Sequence, residues 1–300
     1  MTNISVIVSM MDRPEHVVES LRSILANPGA SFEVVVIDQS ADVNRQSACA
    51  AVGADPRLRW VESRTRGLSV SRNLGVATAT APVVAFTDDD CRVPADWVSR
   101  IRAAFDADAD LDMLFGSVVL SAADRLRGYA AEFEPVETTV FQHVLPDMRA
   151  PWGVGANMAM RRRVIDRVGP FDEMLGAGGR FYAGEEIDLT IRALSAGLKV
   201  MFTPAVSVAH LGIREGAAAS RLMRRYGIGL GAALAKHMRL RTPGANTLFR
   251  QWLAFHARRS LRGTLRGERH PGLGLVAAVP FGACLSLGTR IDPALRSYVE

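Results

Sequence analysis

The strongest constraint on the fold is an alternation, in the first third of the chain, of short apolar runs with helical patterns. Four of these runs are typical of strands, and they occupy residues 4–8, 34–37, 58–62 and 82–87. Helical patterns lie between them at residues 12–27 and 68–79. The fourth run is apolar on both faces, which places it in the middle of a sheet. The alternation predicts an α/β fold with a mostly parallel sheet covered by helices.

The pattern continues as far as His210 and then changes. We expect helices at 94–105 and 185–197, a strand at 113–120, and extended segments at 198–202 and 205–210. After His210 the chain shows helical segments that carry many arginines. We therefore predict two parts, a domain of residues 1–213 and a basic helical extension of residues 214–300.

The net charge of +5 conceals a strong local asymmetry. Residues 1–213 hold 21 basic and 27 acidic side chains, a balance of −6, whereas residues 214–270 hold 13 basic and two acidic ones, a balance of +11. Such a segment binds polyanions, and the candidates are an anionic membrane surface and nucleic acid. The segment has few aromatic residues and no recognised nucleic-acid-binding motif, so we expect its partner to be a membrane surface and not a nucleic acid.

Residues 271–289 form an uncharged run whose relation to a membrane stays open. The run is about as long as the shortest membrane span, but it contains Pro280 and several glycines. It can span, lie in the interface or form a core helix, and the basic segment before it favours the interface. The apolar N-terminus is interrupted by Asp12 and Arg13, which indicates a strand and no signal peptide. We expect a cytoplasmic protein, peripheral on the cytoplasmic face of the membrane.

Three consecutive carboxylates, Asp88 to Asp90, follow the fourth apolar run. Because adjacent carboxylates repel one another, solvent, a helix N-terminus or a metal ion must offset their charge. They stand at the carboxyl end of a predicted buried strand, where open α/β sheets bind ligands. Side chains alternate along a strand, so Asp88 and Asp90 point to one side and Asp89 to the other. Two carboxylates on one side can hold Mg²⁺ or Mn²⁺, which bridges phosphate oxygens.

A second acidic stretch shows that the D-x-D spacing alone is a weak signal. Residues 106–112, DADADLD, contain overlapping matches to it. The stretch lacks the glycine of a calcium-binding loop and has Ser117 where that loop needs a glutamate. We expect a solvated helix end there.

Three further side chains belong near the predicted sheet edge. Asp38 ends the second strand, where a carboxylate can accept the imide N–H of a uracil or a comparable donor of another base. Arg72 and Asn73 lie in the helical segment before the fourth strand, where we expect both to contact the nucleotide sugar, and Arg72 can pair with its diphosphate. Taken singly, each is more often an ordinary turn or surface residue, and only their order along the chain gives them weight.

In this order, the stretches resemble family 2 glycosyltransferases of the fold called GT-A. The resemblance covers about residues 3–212 and rests on SVIVSMMDRPEHVVESLRSIL, VVVIDQS, GLSVSRNLGVATATAPVVAFTDDD, GANMAMRR, GEEIDLTIRALSAG and VAH. It implies a nucleotide-sugar-binding GT-A fold and an inverting, metal-dependent sugar transfer. The expected donor is a nucleotide sugar, foremost a UDP-sugar, and the expected metal is Mn²⁺ or Mg²⁺.

The resemblance also implies roles for individual residues. Asp38 would bind the nucleotide base, and Asp88 and Asp90 would form the D-x-D pair for ribose and metal, with Asp89 beside them at the nucleotide sugar. His210 would correspond to a metal-proximal histidine, although a lone histidine at a strand end is more often structural.

The resemblance places the catalytic base in GEEIDL. Relatives usually have Glu-Asp where this chain has Glu185 and Glu186, so Glu186 stands at the position of the base with one extra methylene. We rank Glu186 first and Glu185 second, and we expect the helix dipole to keep Glu186 ionised. Asp188 either contacts the acceptor or pairs with Arg192, four residues later.

Trp152 and Asn157 lie in PWGVGANMAMRR, near the expected sugar pocket. Trp152 either stacks on a sugar or fills the core of a loop. Both are predicted to contact the nucleotide sugar.

The expected reaction is a single displacement at the anomeric carbon, with a glycan or lipid-linked acceptor in envelope or exopolysaccharide synthesis. A base removes the proton of the acceptor hydroxyl, and a cation offsets charge on the departing diphosphate. The alternative is an inactive, transferase-like scaffold in envelope-polymer assembly. Asp90→Asn separates the two, because it abolishes metal-dependent turnover and leaves partner binding intact.

Overall fold

A computed structural model describes residues 3–29, 31–148, 152–265 and 272–299 of the chain. The strands are β1 (Ile4–Met10), β2 (Phe32–Asp38), β3 (Leu58–Glu62), β4 (Val83–Asp88), β5 (Cys91–Arg92), β6 (Leu111–Val119), β7 (Thr139–Phe141), β8 (Met158–Arg161), β9 (Lys199–His210), β10 (Arg290–Asp292) and β11 (Ser297–Val299). The helices are α1 (Pro14–Leu25), α2 (Asp42–Val52), α3 (Leu68–Thr78), α4 (Trp97–Ala107), α5 (Ala122–Arg127), α6 (Arg163–Val168), α7 (Glu185–Ser195), α8 (Gly216–Arg239), α9 (Ala245–Leu265) and α10 (Gly272–Ser286).

Strands β1 to β9 form one large, mostly parallel sheet, which confirms the predicted α/β class. The order is β3-β2-β1-β4-β8-β6-β9-β5, and β7 pairs with β9. Strands β3, β2, β1 and β4 are parallel, and β6 is parallel to β9. Strand β8 runs antiparallel between β4 and β6. The carboxyl ends of β1, β2 and β4 therefore meet at one edge.

The apolar patterns of the sequence account for the core of this sheet. Residues Val83 to Phe86 of β4 are at most 1% exposed, as expected for a central strand. The apolar stripe of α1, formed by Val17, Leu21 and Ile24, is buried in the same cluster. Helix α2 was not predicted, because it buries little and Ala48 is its one buried residue.

In its described residues, the basic extension forms three helices and a hairpin of β10 and β11. Helices α8 and α10 pack closely through glycines, since a Cβ at Gly231 would collide with the carbonyl of Val279 and one at Gly282 with that of Ile228. Tyr298 of β11 donates its hydroxyl to the carbonyl of Ala232 in α8 at 2.7 Å. Within the described ranges, no helix has the length and apolar character needed to cross a membrane.

The predicted run 271–289 begins with a residue outside the described ranges and then forms α10 and the turn after it. Ala278 and Val279 are buried, whereas Phe281, Leu285 and Leu287 are exposed by 40% or more. The helix thus has an apolar inner face and an apolar outer face.

Candidate active site

The acidic triplet lies where β4 ends and the chain turns into β5. Asp88 and Asp90 converge with His210, because β5 pairs with β9 and Cys91 stands opposite His210 in the register. One potential ligand atom from each of these four residues lies within 4.8 Å of the others. Burial raises the pKa of the Cys91 thiol, which leaves two carboxylates and an imidazole as the donor set. The two carboxylates of this set fit Mg²⁺ or Mn²⁺.

The imidazole of His210 is held by a backbone contact. Its Nδ1 accepts from the N–H of Gly212 at 3.1 Å, and its Nε2 lies 3.7 Å from Oδ1 of Asp90. A neutral ring that accepts at Nδ1 carries its proton on Nε2. Binding of a metal through Nε2 therefore requires the other tautomer and loss of the Gly212 contact.

Asp89 is separate from this donor set and is paired with Arg13. The guanidinium of Arg13 spans two carboxylates, with Nη2 at 2.7 Å from Oδ1 of Asp89 and Nη1 at 2.6 Å from Oδ2 of Asp90. Burial raises the pKa of Asp89 to about 7, although Arg13 opposes that rise. Arg13 was not among the predicted site residues. Its position directly before α1, whose preceding strand neighbours β4, is the one signal in the sequence that points to this edge.

Arg72 connects the acidic turn to α7. Its Nη1 lies 2.8 Å from Oε1 of Glu185 and its Nη2 lies 3.6 Å from Oδ1 of Asp88. The arginine is buried, and a Cβ at Gly155 would lie 2.5 Å from Nη2. Glycine at position 155 thus leaves the space that the guanidinium occupies.

Glu186 lies in the first turn of α7 and lines the same cavity as Asp88 and Asp90. Burial and the neighbouring charge of Glu185 raise the pKa of Glu186 to about 8. Burial and the charge of Glu185 thus act against the helix dipole, which was expected to keep this carboxyl ionised. A carboxyl with a raised pKa is a stronger base once it has lost its proton.

These residues surround a cavity of about 640 Å³. Its walls are the acidic turn, the loop at 153–156, the start of α7, and parts of α8 and α9. Trp152 lines it and is 7% exposed, and it packs in an apolar cluster with Leu234 and Trp252. The indole N–H of Trp152 is covered and has no hydrogen-bond partner among the described residues. The size is typical of a small-molecule site.

Asp38 lies at the end of β2, beside a second cavity of about 360 Å³. Gln39 and Ser40 line that cavity together with residues after β3. Oδ1 of Asp38 accepts from the N–H of Ser40 at 2.8 Å. Oδ2 is buried and has no partner among the residues that the structure describes.

Two residues that were predicted to contact the nucleotide sugar, Asn157 and Asn73, do not line the main cavity. Asn157 is fully buried, where it accepts from the indole of Trp97 at 3.0 Å and donates to the carbonyl of Ser117 at 2.8 Å. Asn73 donates to the carbonyl of Phe171 at 3.0 Å and accepts from the N–H of the same residue at 2.9 Å. Both amides hold backbone segments together.

Asp188 is also directed away from the cavity. It is fully buried and pairs with Arg192 at 2.9 Å, Lys236 at 2.6 Å and His237 at 2.9 Å. Burial raises the pKa of Asp188, but the positive charges of Lys236 and Arg192 lower it by more, so the net shift of the pKa is downward. Of the two alternatives for Asp188, the structure supports the helix-face ion pair and not an acceptor contact.

Comparisons of the sequence with known proteins find a glycosyltransferase family and several similar proteins. A profile described as glycosyl transferase family 2 matches residues 5–169. The chain is similar to glycosyltransferase AglE of Haloferax volcanii, with 25% identity over 212 residues that cover 69% of this chain and 66% of that protein. It is also similar to succinoglycan biosynthesis protein ExoO of Rhizobium meliloti, with 25% identity over 88% of this chain and 80% of that protein. The chain thus spans just under two thirds of AglE, and 15% of an uncharacterized glycosyltransferase of Rickettsia conorii.

Solved structures share the fold. Mannosyltransferase PcManGT from Pyrobaculum calidifontis, in complex with GDP-Man and Mn²⁺, has a TM-score of 0.64 and 20% identity, covering 95% of this chain and 81% of that one. S. aureus TarS 1–349, in complex with UDP-GlcNAc, has a TM-score of 0.55 and 17% identity, covering 95% and 83%. These likenesses confirm the predicted GT-A type of α/β architecture.

Proposed function

Because this chain belongs to glycosyl transferase family 2, we propose that it transfers a sugar, with inversion, from a nucleoside diphosphate to a hydroxyl acceptor. One observation carries the proposal. A pair of converging carboxylates, Asp88 and Asp90, and a carboxyl with a raised pKa, Glu186, line one cavity. The two aspartates can hold a cation that offsets charge on a leaving diphosphate, and Glu186 can take the proton of an attacking hydroxyl.

In this proposal Asp88, Asp90 and His210 hold a divalent cation, Mn²⁺ or Mg²⁺. A bound cation supplies a Lewis acid that offsets negative charge on the leaving diphosphate. Arg13 orients Asp90 through its Oδ2 and leaves Oδ1 on the side of His210. Asp89 neutralises part of the charge of Arg13, so its contribution at the donor is indirect.

Glu186 is the proposed base. Its carboxylate takes the proton of the acceptor hydroxyl while the hydroxyl oxygen forms a bond to the anomeric carbon. The bond from that carbon to the phosphate oxygen breaks, and its electron pair leaves with the nucleoside diphosphate. Arg72 holds Glu185 at 2.8 Å, so we assign Glu185 to positioning of α7 and not to proton transfer.

The second cavity is the proposed site of the nucleobase. The buried Oδ2 of Asp38 has no partner among the described residues, and a base N–H would satisfy it. Both the imide N–H of uracil and the N–H groups of guanine can donate to a carboxylate. The solved neighbours in complex with UDP-GlcNAc and GDP-Man support testing both classes of donor.

We further propose a glycan or lipid-linked acceptor in envelope or exopolysaccharide synthesis, reached from the cytoplasmic face of a membrane. Relatives named for succinoglycan biosynthesis and as a glucosyl-dolichyl phosphate glucuronosyltransferase support this class of acceptor. The apolar outer face of α10 and the adjacent turn, with Phe281, Leu285 and Leu287 exposed, lies in the basic extension and suits an anionic lipid surface. In this view residues 1–213 form the transferase domain and residues 214–300 its membrane-facing extension.

The experiment for the transfer reaction is release of nucleoside diphosphate by the purified full chain. A panel of UDP- and GDP-sugars is incubated with Mn²⁺ and envelope lipid extract, with EDTA in a parallel series. We expect release with one donor class and its loss in EDTA. No release with any donor, while a control transferase works, favours the inactive scaffold.

The experiment for the membrane surface is co-sedimentation with phosphatidylglycerol and phosphatidylcholine vesicles. We expect binding to the anionic vesicles and weaker binding of Phe281→Ser. Leu126→Ser is the matched control, because Leu126 is 91% exposed outside the basic extension. Equal binding of all three proteins would contradict the assignment of α10.

A further inference from the structure

Tyrosines are concentrated around the main cavity. The chain has four tyrosines, and Tyr129, Tyr182 and Tyr226 all line this cavity. Within the described part of the chain, none of their three hydroxyl groups has a hydrogen-bond partner. Tyr298 differs, since its hydroxyl is bonded to the carbonyl of Ala232. Three polar groups of one kind at one site thus have no partner among the residues that the structure describes.

The basic extension brings Tyr226 close to the proposed base. A Cβ at Gly229 of α8 would collide with the carbonyl of Ala183, so this helix contacts the backbone directly before α7. Tyr226 lies three residues before Gly229 and shares its helix face. Burial raises the pKa of Tyr226, and the charges of Asp88 and Glu186 raise it further. The Tyr226 hydroxyl is therefore neutral and lies near both the metal-binding carboxylates and the base.

The other two tyrosines are held from different elements. Tyr129 forms an edge-to-face pair with Tyr226, with ring centroids 6.2 Å apart, and its backbone pairs with Arg214. Tyr182 has a φ of +68° and the guanidinium of Arg225 lies 5.2 Å from its ring centre. A bulky residue in the left-handed region is unusual and is kept there only by its surroundings. Each ring is thus fixed without use of its hydroxyl.

We propose that Tyr129, Tyr182 and Tyr226 form the subsite that binds the hydroxyl groups of a neutral pyranose ring on the acceptor. The proposal rests on the proposed function, because it places this ring beside Glu186. A tyrosine hydroxyl both donates and accepts, which matches a polyhydroxyl ring, and the aromatic faces suit its apolar faces. A phosphate group would instead call for unpaired cations, whereas Arg13 and Arg72 in this cavity are paired with carboxylates and Arg214 with backbone carbonyls. Tyr182 and Tyr226 lie outside residues 5–169, so the match to the family does not extend to these two tyrosines.

The test measures binding of methyl glycosides to the full chain. Methyl glucoside, galactoside, mannoside and N-acetylglucosaminide are titrated up to their solubility limits by saturation-transfer NMR, with Mn²⁺ and UDP present. Tyr226→Phe, Tyr182→Phe and Tyr129→Phe each remove one hydroxyl and keep the ring. Tyr298→Phe is the matched control, because it removes the one tyrosine hydroxyl outside the cavity. Binding of Mn²⁺ and UDP is measured for each protein as a check of folding and of the donor site.

We expect at least one glycoside to bind the wild type, and Tyr226→Phe to weaken that binding by about 3- to 10-fold, the effect of one lost hydrogen bond. Tyr298→Phe and the wild type should bind it equally. The proposal is overturned if no glycoside binds while Mn²⁺ and UDP do, or if all three cavity variants bind as the wild type does. If the protein binds a glycoside but binds neither Mn²⁺ nor UDP, the result would support the sugar subsite and contradict the donor site of the proposed function.

Discussion

Arg72 and Glu185 form an ion pair of 2.8 Å in which the two side chains are 3% and 6% exposed. The pair joins α3 to the first turn of α7, and Arg72 also reaches towards Asp88 at 3.6 Å. Of the two consecutive glutamates, Glu185 is thus engaged in holding the site together. Both glutamates line the cavity, but Glu186 forms no ion pair with the residues that the structure describes, so it is the one available to an acceptor hydroxyl.

Replacement of the proposed base should therefore affect the rate of transfer most strongly. Glu186→Gln keeps the shape and removes the proton acceptor, and we expect kcat to fall by about 10²- to 10⁴-fold. Donor binding should change little. The measurement is nucleoside diphosphate release in the presence of acceptor, with the dissociation constant of UDP and Mn²⁺ measured in parallel.

Glu186→Asp and Glu185→Gln are the controls for this assignment. Glu186→Asp retains a carboxylate with shorter reach and should give an intermediate rate. Glu185→Gln should weaken the link to Arg72 and lower activity less than Glu186→Gln. A larger loss in Glu185→Gln than in Glu186→Gln would assign the base to Glu185.

The pH dependence of the reaction follows from the raised pKa of Glu186. A base acts only when deprotonated, so Glu186, whose pKa is raised to about 8, is inactive at low pH and becomes active as the pH rises. A bound divalent cation lowers that pKa. We therefore expect kcat/KM to rise with pH and then to level off, and the midpoint of the rise should lie at or below the raised pKa of Glu186. Glu185→Gln removes a negative charge that raises the pKa, and the midpoint should move to lower pH. A midpoint that moves to higher pH, or no acidic limb, would refute the assignment.

Arg13 provides a prediction about metal affinity. It bonds Oδ2 of Asp90 at 2.6 Å and thereby fixes the carboxylate that is proposed to bind the cation. Removal of partners that orient metal ligands commonly costs about 10- to 100-fold in affinity, and we expect this loss of Mn²⁺ binding in Arg13→Met. Arg13→Lys should recover only part, because an ammonium does not bridge Asp89 and Asp90 as a guanidinium does. Tighter Mn²⁺ binding in Arg13→Met would show that Arg13 competes with the ion.

The buried charge cluster of Asp188, Lys236 and Arg192 should govern stability. Asp188→Ala leaves the buried Arg192 without its carboxylate partner and Lys236 with Asp172 alone, and we expect a loss of about 3–5 kcal/mol in the free energy of unfolding. The pKa of Asp188 is lowered below 3.8 in the folded chain, so its contribution is present above that value and declines as pH falls towards the folded pKa. Denaturant unfolding at neutral and acidic pH measures both effects.

Asp110→Asn is the control for this stability prediction. Asp110 is exposed and its substitution should change the unfolding free energy by less than about 0.5 kcal/mol. Equal stabilities for Asp188→Ala and Asp110→Asn would contradict the role assigned to the cluster.

The sequence predicted those features that depend on local pattern. The apolar run before Asp88 predicted a central strand, and parallel strands then placed Asp38 and Asp88 at the same sheet edge. Position near that edge does not specify the direction of a side chain, so the sequence could not show that Asn73 and Asn157, predicted to contact the nucleotide sugar, point elsewhere. The structure shows that both bind backbone groups instead.

Contacts between distant segments could not be predicted in this way. The contact of Arg13 with Asp89 depends on how the loop before α1 approaches the end of β4. The position of Tyr226 depends on a helix that packs through glycines against residue 183. Neither arrangement leaves a periodic pattern in the sequence, so the contacts of Arg13 and the position of Tyr226 become visible only in the fold.

The central claim is that Asp88 and Asp90 hold a divalent cation at which the donor diphosphate binds. Its most direct test is Mn²⁺ binding by electron paramagnetic resonance, without and with UDP, for the wild type, Asp90→Asn and Asp110→Asn. The account predicts that the wild type and Asp110→Asn bind Mn²⁺ more tightly when UDP is present, and that Asp90→Asn loses this binding. Binding of Mn²⁺ by Asp90→Asn as tight as that of the wild type, or no binding by the wild type, would contradict it.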